Sequence, residues 1–146
     1  MQPSKQAASA TTEDAVMGAL MVFGRRMRQR LADDVLDFSQ VPVLKALDTF
    51  GAMRLSALAT ALELDASTVS RHVKQLEDRG YLGRTTDPDD GRASQIAITA
   101  AGRHELRTHI ERRRALIATA LNDWSASDRE VFRTLLDRMT ERMMHP

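Results

Sequence analysis

The feature that most constrains this chain is a change of hydrophobic rhythm at Gly80. Before it, Val69, Val73 and Leu76 recur at helical spacing. After it, two short extended runs flank a dense turn, Asp87-Pro88-Asp89-Asp90-Gly91-Arg92, and Ile96 and Ile98 alternate in the second run. A helix over 66–79, stopped by Gly80 where neighbouring segments pack closely, therefore leads straight into a hairpin of 81–86 and 93–99. A short helix carrying Leu58, Ala59 and Leu62 precedes it, joined by Glu63-Leu64-Asp65. Two helices across so tight a turn, followed by a hairpin, have the layout of a winged helix-turn-helix, with small Ala59 allowing a close crossing.

The rest of the pattern is helical. Residues 1–12, rich in Ser, Ala, Gln and Thr, read as a loose tail. Val16, Leu20, Phe23, Met27 and Leu31 then follow steps of three and four, fading near Asp33–Asp37. Ser39 is expected to cap a second helix, with Pro42 in its first turn, Val43, Leu44, Leu47 and Phe50 buried, and Gly51 as its stop. Leu55 is expected to be extended and Ser56 to cap the short helix. After the hairpin, Thr99 caps a long helix with Leu106, Ile110, Ile117, Leu121 and Trp124 along one side. Either Ser125 or Ser127 opens the last helix, whose stripe is Phe132, Leu135, Leu136, Met139 and Met143.

The expected order is α-α-α-α-β-β-α-α, a mostly α fold with one small β-hairpin. The winged lobe occupies 39–101 and is flanked by helices within 13–38 and 102–146. A lobe of that size cannot cover the apolar stripes of the end helices, so these are read as dimerisation helices. Aromatics make up only 4% of the 146 residues, and a core built from aliphatic residues and eight Met suits helices. The Met are read as core filler, or alternatively as a soft pocket wall.

Several function classes fall away. No cysteine is present, which excludes disulfides, thiolate metal sites and thiol redox sensing. The longest uncharged run, 15–24, is about half a bilayer span and follows the acids Glu13 and Asp14, so no membrane partner is expected and the location is read as cytoplasmic. His104 and His109 stand about 140° apart around a helix, too far to chelate together, and no metal site is expected. No nucleophile–base set, phosphate-cradling loop or paired catalytic carboxylate appears. The chain is therefore read as no enzyme, with no catalytic residue and no cofactor.

Opposite the apolar side of helix 66–79 lie Ser67, Arg71, Lys74 and Asp78, with Thr68, Ser70 and Gln75 on the shoulders. Ser67, Thr68 and Ser70 stand near the helix N-terminus, where hydroxyls and backbone N–H groups meet phosphates. Arg71 is long enough for guanine O6 and N7, and Gln75 suits adenine. A solvated face would show the same pattern; the tight turn and the hairpin favour a major-groove reader. At the hairpin tip, Arg92 suits a narrow minor groove, with Asp90 placed to hold its guanidinium. His72 is read as packing beneath the helix with one hydrogen bond, or as bordering a ligand cleft. Arg112-Arg113-Arg114 is read as a solvated run, with a partner acid or DNA backbone as the other candidate contacts. Between 68 and 103, six Lys and Arg face five acids, so a modest salt dependence and reliance on dimerisation are expected.

The run Ser67-Thr68-Val69-Ser70-Arg71-His72-Val73, continuing through Leu76-Glu77-Asp78-Arg79-Gly80-Tyr81-Leu82, resembles the recognition helix of the MarR family of bacterial regulators. The wing run Asp87-Pro88-Asp89-Asp90-Gly91-Arg92-Ala93, followed by Ile98-Thr99-Ala100-Ala101-Gly102, is similar to that family's wing. The resemblance extends over roughly 14–143. It implies an obligate homodimer on a pseudo-palindromic double-stranded DNA operator, with Arg92 in the minor groove positioned by Asp90. It also implies a small, often aromatic effector in a cleft between lobe and dimerisation helices, with no ligand residue assignable. A repressor relieved by such a ligand is the expectation. The alternatives are a regulator without an effector, or a winged helix used only for protein interaction.

Overall fold

The computed structural model describes residues 11–145, so all but the last two residues of the expected tail lie outside it. The element order is α1 (Thr12–Arg28), a 3-10 turn (Phe38–Gln40), α2 (Val41–Phe50), α3 (Leu55–Leu62), α4 (Ala66–Asp78), β1 (Leu82–Thr86), β2 (Ser94–Ile98), α5 (Ala100–Ala120) and α6 (Ala126–Met144). The chain divides into two compact units after His109, within α5.

In the first unit, the core is formed by Leu36, Val43, Leu44, Leu47, Leu58, Val69, Val73, Leu76, Leu82, Ile96, Ile98 and Leu106. The α3–α4 turn closes on Glu63, whose φ of 53° places it in the left-handed region. Leu64 N–H donates to Ala59 C=O at 3.1 Å and Glu63 N–H to Thr60 C=O at 3.2 Å, satisfying the carbonyls at the end of α3. The end of α4 repeats the motif with Gly80 at φ 78°, Tyr81 N–H reaching Leu76 C=O and Gly80 N–H reaching Glu77 C=O, both at 2.9 Å.

The hairpin is antiparallel, with Leu82 opposite Ile98, Arg84 opposite Ile96 and Thr86 opposite Ser94. Its outer edge is capped by Met53, which exchanges backbone hydrogen bonds of 3.0 and 2.7 Å with Ile96. Thr99 then fastens α5 to the α4–β1 junction. Its hydroxyl donates to Gly80 C=O at 2.7 Å and accepts from Gly102 N–H at 3.1 Å. The close approach is at Gly102, where a Cβ would lie 2.2 Å from the Tyr81 carbonyl oxygen. At Gly80, expected to be the close contact, a Cβ would meet nothing within 4 Å; the positive φ is what requires glycine there.

Other expectations are corrected locally. Ser39 does not cap α2 but lies inside the 3-10 turn, which the Gln40 side chain closes by accepting Asp37 N–H at 3.2 Å. Phe50 is 71% exposed, because it falls at the last position of α2, beyond the packed turns. Leu55 is helical, Arg54 rather than Ser56 holds the N-cap position of α3, and the extended residue is Met53. Leu31 lies beyond α1, while Leu121 and Trp124 lie beyond α5.

In the second unit, Ser125 is the N-cap of α6, accepting Asp128 N–H at 3.0 Å, which settles the register against Ser127. Trp124 and Phe132 meet edge to face, with centroids 5.1 Å apart. The arginine triplet is not uniformly solvated: Arg113 is buried, while Arg114 pairs with Glu111 at 3.0 Å. Successive helical residues turn about 100°, so three in a row cannot share one face.

Gly102→Ala is expected to cost about 1–3 kcal/mol by forcing a methyl against backbone. Gly18→Ala, in the open interior of α1, should gain about 0.5–1 kcal/mol. Denaturant titration checks both; an undiminished Gly102→Ala stability would refute the packing described at Tyr81.

Candidate nucleic-acid interface

Helix α4 separates its residues by environment. Val69, His72, Val73 and Leu76 are buried, while Ser67, Ser70, Arg71, Lys74 and Gln75 are exposed and Thr68 is half-buried. Thr68 Oγ1 donates to Asp65 Oδ2 at 3.2 Å, which steadies the first turn of the helix. Lys74 Nζ lies 3.7 Å from Asp78 Oδ1 on the open surface, a pair too solvated to hold the lysine firmly.

The arginines around this helix fall into two groups. Arg79 Nη1 donates to Val35 C=O at 2.6 Å, Arg84 Nε to Glu77 Oε1 at 2.5 Å, and Arg103 Nε to Asp48 Oδ1 at 3.2 Å. Arg54 Nε donates to Asp87 Oδ2 at 2.5 Å. These four brace the lobe internally, from linker to α4, from α4 to β1, from α2 to α5, and from α3 to the hairpin. Arg71 and Arg92 are different: both are exposed, and neither guanidinium has a hydrogen bond or salt bridge among the described residues.

The hairpin tip is organised around Asp87, which is only 4% exposed. It accepts Asp89 N–H at 2.9 Å as well as Arg54. The backbone N–H first, then the Arg54 guanidinium, hold its carboxyl below the usual carboxylate range. Asp90 Oδ1 accepts the backbone N–H of Arg92 at 3.1 Å, and its other oxygen lies 3.8 Å from Arg54 Nη2. Asp90 thus shapes the turn that carries Arg92, while the guanidinium the acids hold is that of Arg54. Sequence reasoning missed Arg54 because its main partner stands 33 residues away, beyond any local spacing signal.

A second buried polar group lies under α4. Gln40, 2% exposed, donates from Nε2 to Gln75 Oε1 at 3.1 Å. His72 is buried beside it, with Nδ1 lacking a hydrogen-bond partner among the described residues, and burial, then the Arg71 charge, push its pKa below the ordinary histidine value. Elsewhere, His104 is exposed and His109 is buried with Nδ1 3.9 Å from Asp34 Oδ1. Among the described residues no His, Cys, Asp and Glu cluster could hold a metal, and no helix is long and apolar enough to cross a membrane.

A sequence profile of the MarR family matches residues 36–94. The uncharacterized HTH-type transcriptional regulator YxaD of Bacillus subtilis (strain 168) is 37% identical over 106 residues, covering 73% of this chain and 74% of that protein. A MarR family protein from Bacillus stearothermophilus superposes with a TM-score of 0.79 at 22% identity, covering 90% of this chain and 92% of that one. A mutant of MepR from S. aureus, bound to an oligodeoxyribonucleotide, superposes with a TM-score of 0.68 at 19% identity, covering 91% and 98%.

Arg54→Met should loosen the hairpin by stranding the buried Asp87 carboxylate. Faster amide exchange over 84–96 and a lower melting temperature are expected at pH 7. Because Asp87 has a depressed pKa, its stabilisation is complete above its ordinary value of 3.8 and is lost as pH falls through the lower folded value. The gap between wild type and variant should therefore shrink as acid protonates Asp87; a gap independent of pH would contradict the pairing.

Proposed function

The chain belongs to the MarR family of transcriptional regulators, and from that premise we propose that it acts as a homodimer on a pseudo-palindromic duplex, with α4 in the major groove and the hairpin tip in the minor groove. The observation that carries this reading is the division of the arginines. Four are bound internally, whereas Arg71 on the outer face of α4 and Arg92 at the hairpin tip are left unpaired. Two such exposed guanidiniums match the needs of base-edge and minor-groove contact. Ser67, Thr68 and Ser70, beside the N-terminus of α4, supply phosphate donors, and Lys74 supplies charge along the same face. Asp90 fixes the turn from which Arg92 projects.

The apolar surfaces of the end helices support the dimer. No residue of α1 is buried, and Met17, Leu20, Met21, Val22 and Phe23 are each about half or more exposed. In α6, Val131, Leu135, Leu136 and Met143 are exposed as well. Unpartnered stripes of this length are the usual signature of a subunit interface. A dimer seated on promoter DNA represses by occupancy. Relief by a small effector follows the family resemblance.

Sedimentation and duplex titration on the same preparations test this reading. Wild type should sediment as a dimer and bind one duplex per two chains. Arg71→Ala and Arg92→Ala should each lose about tenfold or more in affinity, the scale of one good base contact, with mass and melting temperature unchanged. A monomer, or unchanged affinity in both variants, would refute it.

A further inference from the structure

Gln75 is exposed on the shoulder of α4, and its amide can present either a donor or an acceptor to a base. The direction of that amide is fixed by a chain of hydrogen bonds that begins at a backbone group. Asp37 N–H can only donate, and it donates to the Gln40 side chain at 3.2 Å, so the Gln40 atom there must be the oxygen. The other end of the Gln40 amide must then be Nε2, and it donates to Gln75 at 3.1 Å, so the Gln75 atom there must be Oε1. Gln40 is 2% exposed, so water cannot readily replace these bonds.

We propose that Gln75 reads DNA as a donor only, and that buried Gln40 is the positioning residue that makes it so. The inference rests on α4 being the major-groove element. Adenine recognition by glutamine is bidentate, with the amide oxygen accepting from N6 and the amide nitrogen donating to N7. With Oε1 held inward, only the two N–H groups of Gln75 face the groove. These suit bases that offer acceptors alone, namely guanine through O6 and N7 or thymine through O4. The adenine preference expected from the residue type is thereby replaced by a guanine or thymine preference, set by a side chain that does not touch the DNA.

Selection of bound sequences from a random duplex pool, run on wild type, Gln75→Ala and Gln40→Met, tests the proposal. Gln75→Ala should relax one position of each half-site, which identifies the base read by Gln75. At that position wild type should enrich guanine or thymine and bind adenine about tenfold more weakly. Gln40→Met, similar in size but without a donor, should release the Gln75 amide and admit adenine to within about twofold, leaving the other positions unchanged. Enrichment of adenine by wild type would overturn the proposal without using the buried variant at all. So would a preference that survives Gln40→Met, or a Gln75→Ala profile identical to wild type. If wild type enriches no sequence, the underlying reading of α4 fails, an outcome distinct from a site enriched with the wrong base.

Discussion

The Thr99 hydroxyl, donating to Gly80 C=O at 2.7 Å while accepting Gly102 N–H at 3.1 Å, ties the α4–β1 junction to the first turn of α5. Gly80 ends α4, Tyr81 leads into β1, and Gly102 lies in the first turn of α5. Because Gly102 has no side chain, the start of α5 can press against the Tyr81 carbonyl, and Thr99 N–H reaches that same oxygen at 3.0 Å. The angle between the helix proposed to read the major groove and the hairpin proposed to read the minor groove is therefore set by backbone contacts. Arg84, bonded to Glu77, adds a side-chain brace between the same two elements.

Charge is used sparingly. With a formal net charge of +1, the chain has no excess of cations to spread over a DNA-binding face. The acids of the lobe instead engage the arginines that brace it, through Asp87 with Arg54, Glu77 with Arg84 and Asp48 with Arg103. What remains for a ligand is a small set of unpaired guanidiniums at two separated points. Such a lobe would bind weakly alone, which gives the apolar faces of α1 and α6 their purpose in the proposed dimer.

Helix α4 and the hairpin were legible in the sequence because their signals are local. The spacing of Val69, Val73 and Leu76, the stop at Gly80, and the turn residues from Asp87 to Arg92 each depend on neighbours within a few positions. Errors arose where a distant partner decides the outcome. Arg54 has no local mark of its role, since Asp87 lies far along the chain. Gln40 reads as an ordinary polar residue until the fold places it under Gln75. Ser39 and Ser56 look like helix caps by type, yet the chain enters α2 through a 3-10 turn and α3 from the Met53 bridge. Gly80 and Gly102 were both visible as glycines, but only the packing of α5 shows which one is there for space and which for a positive φ.

Internal pairing leaves the lobe few cations to meet DNA, and the salt dependence of duplex affinity counts them. The slope of log K against log salt counts the counterions that bound cations displace, at about −0.9 per contact. Two lobes presenting Arg71 and Arg92, with Lys74 beside them, should give a slope between about −3.5 and −5.5. A slope of about −8 or steeper would require the bracing arginines to join in as well, and would contradict their separation from Arg71 and Arg92.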